Sequence, residues 1–369
     1  MSKIVVFTNS IRGLRSFRIE LMEKLCDCGY DVSIYCPKND EVDDFEKIGC
    51  KVKFVSNLNS RGMNIRHDIK LFFEYISILK KEYPDAVLTY TIKPNIYGGM
   101  ACAIKRVPYI ANITGLGTAV ENGGVIQKLT VLLYKLAFCR IKKVFFQNTE
   151  NMQFFIKKKI AKGKHELLPG SGVNLERFSY EDYPPEGKTE FAFISRIMKE
   201  KGADQYLDAA EYIKEKYPDT VFHVCGNCEE NYEERLRDMH DRGVVIYHGR
   251  LSDVRVVLRK VHCVVHPTYY PEGMSNVLLE SSATGRPIIT TNRSGCREVI
   301  DEGVNGFIVE QKNTEDVISK IEKFLSLDYE SRKNMGKAGR EKVQKEFDRN
   351  IVIGKYMEAL NIYSKKVRK

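Results

Sequence analysis

The sequence predicts an α/β protein of two doubly wound domains, each a parallel sheet with helices on both faces. Three observations carry this expectation. The chain has 369 residues, too many for one ordinary core and enough for two domains of roughly 150–200 residues each. Short β-branched or aromatic runs alternate with longer segments of helical period, and the alternation runs through the chain twice. Between the two series, residues 169–190 show little periodicity and contain the turn chemistry of Pro169-Gly170-Ser171-Gly172 and Tyr183-Pro184-Pro185-Glu186-Gly187.

In the first series, strands are expected at 4–8, 31–36, 51–55, 86–91, 109–113 and 144–148. Helical patterns fill 15–28, where Phe17, Leu21 and Leu25 share a face, then 64–82, 124–139 and a segment after Thr149. In the second, strands at 191–195, 221–225, 244–247, 263–266, 288–291 and 307–309 alternate with helices at 203–216, 229–242, 252–260, 276–285 and 314–325. The expected domains are 1–170 and 171–345, followed by a C-terminal segment, 346–369, whose helix spans 346–366. Ligands of such folds sit beyond the carboxyl ends of the strands, which for two facing domains means the cleft between them.

Composition bounds the function. No apolar run approaches the ~20 residues of a membrane span, and Ile4-Val5-Val6-Phe7 opens the chain on a strand with no signal-peptide pattern. A cytoplasmic location is therefore expected. The ten cysteines include the close pairs Cys26/Cys28 and Cys225/Cys228, which lie too far apart in sequence for a zinc framework and read as reduced, buried thiols. Charge is uneven: residues 1–170 carry 27 Lys/Arg against 16 Asp/Glu, and residues 171–369 carry 32 against 33. A basic half suits an anionic partner (phosphate, nucleic acid or membrane) or is simply a solvated surface.

The first chemical signal is Ser195-Arg196-Ile197-Met198-Lys199-Glu200-Lys201-Gly202, between a strand end and a helix start. Arg196 can fork onto phosphate oxygens, Lys201 adds a point charge, and the helix N-terminus adds N–H groups. Together these make a diphosphate site, although the same residues also fit a solvated turn. The second signal is Pro271-Glu272-Gly273-Met274-Ser275-Asn276-Val277-Leu278-Leu279-Glu280, after the strand Cys263-Val264-Val265-His266. Glu272 lies in a loop where Gly273 allows close backbone approach, and it can accept hydrogen bonds from sugar hydroxyls. The N–H groups of Met274, Ser275, Asn276 and Val277 form the positive end of the next helix. Glu280, beside Leu278 and Leu279, needs a polar partner that ribose hydroxyls would supply.

This pair of glutamates resembles the E-x7-E element of retaining glycosyltransferases of family 4, which have the GT-B fold: two Rossmann-like domains facing across a cleft. Arg196 and Lys201 resemble that family's diphosphate-binding pair. The likeness extends through Pro169-Gly170-Ser171-Gly172-Val173-Asn174, Phe178, Thr284-Gly285-Arg286-Pro287-Ile288-Ile289 and Gly303-Val304-Asn305-Gly306-Phe307-Ile308-Val309. It implies catalytic roles for Arg196, Lys201 and Glu272. It also implies a donor site of Gly13, Ser195, Arg196, Lys201, Gly273, Met274, Ser275, Asn276, Val277 and Glu280, with Glu272 on the sugar and Glu280 on the ribose.

The first half is similar to a narrower group, bacterial transferases of surface polysaccharides and lipid-linked oligosaccharides. Thr91-Ile92-Lys93-Pro94-Asn95-Ile96-Tyr97-Gly98-Gly99 and Asn112-Ile113-Thr114-Gly115-Leu116-Gly117-Thr118 carry that likeness. Both follow predicted strands, which places them on a cleft rim. Arg15, Arg18, Lys93, Asn95, Thr114, Gly115 and Gly117 are the expected acceptor side. Two departures stand out. Many members have a His–Asp pair where this chain reads Thr114-Gly115-Leu116, and the first loop, Asn9-Ser10-Ile11-Arg12-Gly13-Leu14, lacks the usual double glycine.

Residues 124–139 are strongly apolar, with Lys128 and Lys135 on one helix face and Arg140, Lys142 and Lys143 following. Such a helix suits an anionic bilayer surface, here the inner leaflet, or a domain core with two lysines outward.

The resemblance implies transfer of a hexose or N-acetylhexosamine, N-acetylgalactosamine first among them, from a UDP-sugar to a saccharide linked to undecaprenyl diphosphate. No cofactor beyond the nucleotide sugar is expected, and no DxD-type aspartate pair marks a metal site. The alternatives are a UDP-sugar 2-epimerase of the same fold, a nicotinamide-dependent oxidoreductase, against which the lack of Gly-x-Gly-x-x-Gly after the first strand argues, and a nucleic-acid-binding protein, against which the lack of any recognisable motif argues.

Overall fold

The computed structural model describes residues 2–38, 42–58, 64–116 and 123–367, the side chains of 362–367 excepted. The chain divides into two compact units, Met1–Ser171 with Asn350–Lys369, and Gly172–Arg349. Each is built on its own parallel sheet.

In the first unit the strands are β1 (Lys3–Phe7), β2 (Asp31–Cys36), β3 (Lys51–Phe54), β4 (Ala86–Tyr90), β5 (Tyr109–Ile113), β6 (Lys143–Phe146) and β7 (His165–Leu167). They are ordered β3-β2-β1-β4-β5-β6-β7. Central strands such as Ile4-Val5-Val6-Phe7 are apolar at successive positions because both faces are covered. The helix expected at 15–28 begins earlier, at Ile11, and runs to Asp27. Ser10 sets the start: its backbone is extended and its hydroxyl accepts the Gly13 N–H at 3.0 Å.

The segment after β4, expected on a cleft rim, is helical. A π-turn, Pro94–Gly98, runs into the helix Gly99–Lys105. Gly98 lies against the Phe7 ring, where a Cβ would come within 3.0 Å of Cδ2.

The second unit contains β8 (Thr189–Ile194), β9 (Thr220–Cys225), β10 (Ile246–Tyr247), β11 (Cys263–His266), β12 (Ile288–Thr291) and β13 (Gly306–Val309), ordered β10-β9-β8-β11-β12-β13. In both units the strand order reverses beside the first strand, as in doubly wound sheets. The expected helices at 229–242 and 252–260 shorten to Glu233–Asp241 and Arg255–Leu258.

The terminal helix expected at 346–366 runs Arg349–Val367, and a further helix that was not expected, Tyr329–Glu346, precedes it. Between them, Phe347 is buried in the core of the second unit, and its carbonyl accepts the Val173 N–H at 2.8 Å. The helix Tyr329–Glu346 is highly charged and buries Met335, Gly336, Gly339 and Val343, and a Cβ on Gly336 would fall 2.1 Å from the Gly285 oxygen. The helix Arg349–Val367 places Val352, Tyr356, Ala359 and Leu360 in the core of the first unit. All ten cysteines are free thiols.

Candidate active site

The site in the second unit begins where β8 ends. Ser195 donates its N–H to the Cys225 carbonyl at 3.0 Å, and Ile197 donates to Asn227 at 2.8 Å, which fixes the chain leaving the sheet. A 3₁₀ turn, Lys199–Lys201, closes on Gly202, whose φ of 81° and crowding suit no other residue: a Cβ would lie 2.3 Å from the Pro267 carbonyl oxygen. The helix Ala203–Lys216 starts there. Lys201 is thereby buried, only 7% exposed.

The loop after β11 is stitched to this turn. Tyr269 N–H and Thr268 Oγ1 both donate to the Glu200 carbonyl, at 2.9 and 3.3 Å. The loop carries two partners for the cations. Lys201 Nζ hydrogen-bonds Glu272 Oε1. The Tyr270 ring centroid lies 4.7 Å from Lys201 Nζ and 5.2 Å from Arg196 Cζ, so one ring serves both charges. Arg196 Nη1 also donates to Glu229 Oε2 at 2.9 Å. Burial works against the Arg196 charge, but Glu229 and Tyr270 outweigh it and hold the guanidinium pKa above its ordinary value.

Beneath this cluster lies His266, 1% exposed, with neither ring nitrogen hydrogen-bonded. Burial, aided by the Lys201 charge, drives its pKa down to about 3, so the ring is neutral.

The helix Asn276–Ala283 opens beside Glu272, with Ser275 as its cap residue. Ser275 donates its N–H to the Gly295 carbonyl at 2.8 Å but makes no side-chain cap bond. Met274 and Ser275 are buried, Gly273 lies inside the loop, and Asn276 Oδ1 is buried without a partner. Val277 is half-buried. One turn on, Glu280 is half-buried. Desolvation pushes its carboxyl up to about 7, with Arg349 and Arg177 opposing and Asp253 adding to the rise.

Arg196, Lys201, Glu272 and Tyr270 thus form one cluster beside a helix start. Sequence reasoning missed Tyr270, Glu229 and His266. An aromatic pair directly before Pro271-Glu272 is a usable signal for Tyr270, whereas Glu229 and His266 reach the site only through the sheet order.

The expectations for the first unit, Gly13 of the donor site and the acceptor side, fare differently, and several need correction. Gly13 does not offer an N–H to a phosphate, because Ser10 occupies it. Arg18 is not a surface charge. It is 4% exposed, lies 5.9 Å from the rings of Tyr90 and Tyr356, and donates to the Ser171 carbonyl at 3.3 Å. Arg15 is exposed and paired with Asp44 at 2.5 Å. Lys93 is held by Asp68 at 2.9 Å, and Asp68 also accepts from Tyr97. Asn95 is a buried strut rather than a rim residue: its Oδ1 accepts from Thr89 at 2.7 Å and its amide donates to the Asn112 carbonyl at 2.9 Å. Thr114 is exposed, and Gly115 beside it has a φ of 150° that favours glycine. Gly117 lies outside the described residues. Among the described residues, no cluster of three or more His, Cys, Asp or Glu is placed to hold a metal ion.

The comparisons with known proteins match both halves. The family described as "Glycosyl transferases group 1" matches residues 177–342, and "Glycosyl transferase 4-like" matches residues 5–148. The chain is a family 4 glycosyltransferase. Its fold is GT-B: TM-scores are 0.81 to a glycosyltransferase of Rickettsia africae (19% identical, covering 100% of this chain and 99% of that one) and 0.80 to Anabaena HepE in complex with UDP (15% identical, 98% and 100%). Among curated relatives, this glycosyltransferase is 26% identical to the N,N'-diacetylbacillosaminyl-diphospho-undecaprenol alpha-1,3-N-acetylgalactosaminyltransferase of Campylobacter jejuni, covering 93% of this chain and 94% of that one. It is 25% identical to the UDP-Gal:alpha-D-GlcNAc-diphosphoundecaprenol alpha-1,3-galactosyltransferase of Escherichia coli, covering 84% of each. The epimerase, oxidoreductase and nucleic-acid readings give way to this assignment.

Proposed function

We propose that this glycosyltransferase moves an N-acetylhexosamine or hexose, N-acetylgalactosamine first among them, from a UDP-sugar to a saccharide carried on undecaprenyl diphosphate, with retention of configuration. It would act in bacterial glycan assembly at the cytoplasmic face of the inner membrane. The observation that carries the donor half is the Arg196–Tyr270–Lys201–Glu272 cluster at the start of the helix Asn276–Ala283. The acceptor half is supported by the two curated relatives, whose names both specify a diphosphoundecaprenol sugar.

In this reading, Arg196 and Lys201 bind the donor diphosphate. As the glycosidic bond breaks, negative charge grows on the leaving UDP, and the two cations with the helix N–H groups stabilise it. When phosphate engages Lys201, the Glu272 carboxylate is released from its ion pair and can accept from sugar hydroxyls. Glu280 receives the ribose. His266 stays neutral beneath Lys201 and adds no competing charge. Thr114 takes the place where many relatives have a His, so the acceptor hydroxyl loses its proton without an imidazole there, to a donor phosphate oxygen on the same face.

The test is calorimetric titration of UDP, GDP, ADP and dTDP into wild type and Arg196→Ala, followed by product analysis with a synthetic polyprenyl-diphosphate acceptor. Micromolar UDP binding that Arg196→Ala abolishes, with a disaccharide product, is expected. Sugar release or epimerisation without acceptor elongation would refute the transfer reading.

A further inference from the structure

Each cation of the donor cluster has a carboxylate of its own. Lys201 is held by Glu272, with side chains only 8% and 17% exposed, and Arg196 by Glu229, with side chains 40% and 32% exposed. In the reading above Glu272 turns to the sugar hydroxyls once the donor binds. Glu229 has no such second partner in that reading, yet it faces the guanidinium that must bind phosphate.

Glu229 is fixed where it stands. The helix expected from residue 229 begins at Glu233, which leaves Glu229 and Glu230 in the loop after β9. That loop is stitched to the turn carrying Arg196: Ile197 N–H donates to the Asn227 carbonyl at 2.8 Å, Glu229 N–H to the Ile197 carbonyl at 3.0 Å, and Lys199 N–H to Glu230 Oε2 at 2.8 Å. Gly226 lets the two chains close, because a Cβ there would lie 1.7 Å from the Ser195 carbonyl oxygen. A carboxylate anchored through its own backbone stays beside Arg196 when an anion arrives, so carboxylate and phosphate compete for one guanidinium. The pair is half open to water, which solvates either partner on separation and keeps the cost of exchange low.

The competition falls unequally on substrate and product. The diphosphate of a nucleotide sugar is esterified at both ends. Free UDP has in addition a terminal phosphate oxygen that ionises with a pKa of about 6, so above neutral pH it is the more negative of the two. The cations therefore hold the product more strongly than the donor, and a fixed carboxylate repels the product more strongly than the donor. We infer that Glu229 acts through Arg196 to release product: it takes back the guanidinium once the sugar has been transferred and so expels the nucleoside diphosphate. The inference rests on the diphosphate role proposed for Arg196.

Calorimetric titration of UDP, UDP-N-acetylgalactosamine and uridine at about pH 8, where the terminal phosphate is fully ionised, would compare wild type, Glu229→Gln, Glu229→Ala, Glu229→Asp and Arg196→Ala. UDP dissociation would be followed by displacement of a fluorescent UDP analogue. Glu229→Gln and Glu229→Ala should bind UDP about fivefold tighter and release it correspondingly more slowly, gain about twofold at most for the UDP-sugar, and bind uridine like wild type. Glu229→Asp, which keeps the charge, should stay near wild type for UDP. Unchanged or weaker UDP binding by the neutral variants, with uridine binding intact, would overturn the inference, since Glu229 would then steer Arg196 rather than compete for it. Equal gains for UDP and the UDP-sugar would overturn it too. Both outcomes leave the donor site standing where Arg196→Ala has lost UDP binding. Arg196→Ala that binds UDP like wild type would overturn the donor reading and this inference together.

Discussion

The Tyr270 ring lies 4.7 Å from the Lys201 ammonium and 5.2 Å from the Arg196 guanidinium, so one side chain holds two like charges at one site. Their mutual repulsion is offset by the ring face and by Glu272 and Glu229. When a diphosphate displaces the carboxylates, the ring remains. On the proposed reading, Tyr270 is therefore a positioning residue for the phosphate subsite. Tyr270→Leu is expected to lower UDP affinity about five- to tenfold, from a cation–π loss of ~1 kcal/mol. Tyr270→Phe should retain most of it, and uridine, lacking the diphosphate, should bind all three proteins alike. Equal losses for uridine and UDP would show that the loop had merely collapsed.

Lys201 and Arg196 differ in setting, and their substitutions should differ too. Arg196 is half-exposed, so Arg196→Ala should fold normally while turnover falls by roughly 10²–10³-fold, the range for removing one donor to a developing anion. Lys201 is buried against Glu272. Lys201→Ala strands that carboxylate, so it should lose turnover and also lower the melting temperature. Lys201→Ala with Glu272→Gln should recover stability without recovering turnover. Single-turnover kinetics with a circular-dichroism melt separates the two effects.

Much of this architecture is legible in the sequence because it is written in local terms. Alternating apolar runs locate the central strands, and Gly202 and Gly273 mark turns through their type. The helix Tyr329–Glu346 is not legible, since its buried face holds only Met335 and Val343 beside Gly336 and Gly339, too few apolar residues to mark a stripe. Nor is the burial of Arg18 and Asn95. An arginine on an expected surface helix, or an asparagine expected on a rim, reads as exposed, and only the packed fold shows Arg18 beside the rings of Tyr90 and Tyr356 and Asn95 bridging β4 and β5. The Glu280 surroundings combine Arg177, Asp253 and Arg349, which no sequence window holds together.

Glu82 ends the helix Ile65–Glu82 and accepts from Lys3 at 2.8 Å, Lys53 at 2.6 Å and Tyr35 at 2.6 Å. Burial pushes its carboxyl upward, but the three donors together outweigh this and bring it down to about 2, below the ordinary 4.5. A depressed carboxylate contributes stability that is complete above its unfolded value and lost as pH falls toward 2. Glu82→Gln should cost about 2–3 kcal/mol near neutral pH and much less near about pH 3. Urea denaturation of both proteins at the two pH values checks this, and a pH-independent difference would mean the charge is not what stabilises.

Glu280 shifts the opposite way, and its consequence falls on binding. With a carboxyl pushed up to about 7, the free enzyme holds a proton there in slightly acidic solution. Ribose hydroxyls donate hydrogen bonds, so they favour the carboxylate, and nucleotide binding should release a proton. UDP affinity should therefore rise with pH up to about 7 and level off above it, changing by up to tenfold per pH unit on the acid side. The proton release is read directly by titrating UDP in two buffers of different ionisation enthalpy, since the apparent binding heats then differ. The β-phosphate titrates in the same range, so UMP-morpholidate, whose phosphorus carries no such proton, serves as the control ligand. Glu280→Gln should bind either ligand more weakly and remove the morpholidate's pH dependence entirely. A morpholidate affinity that is flat with pH in wild type would place the ribose elsewhere.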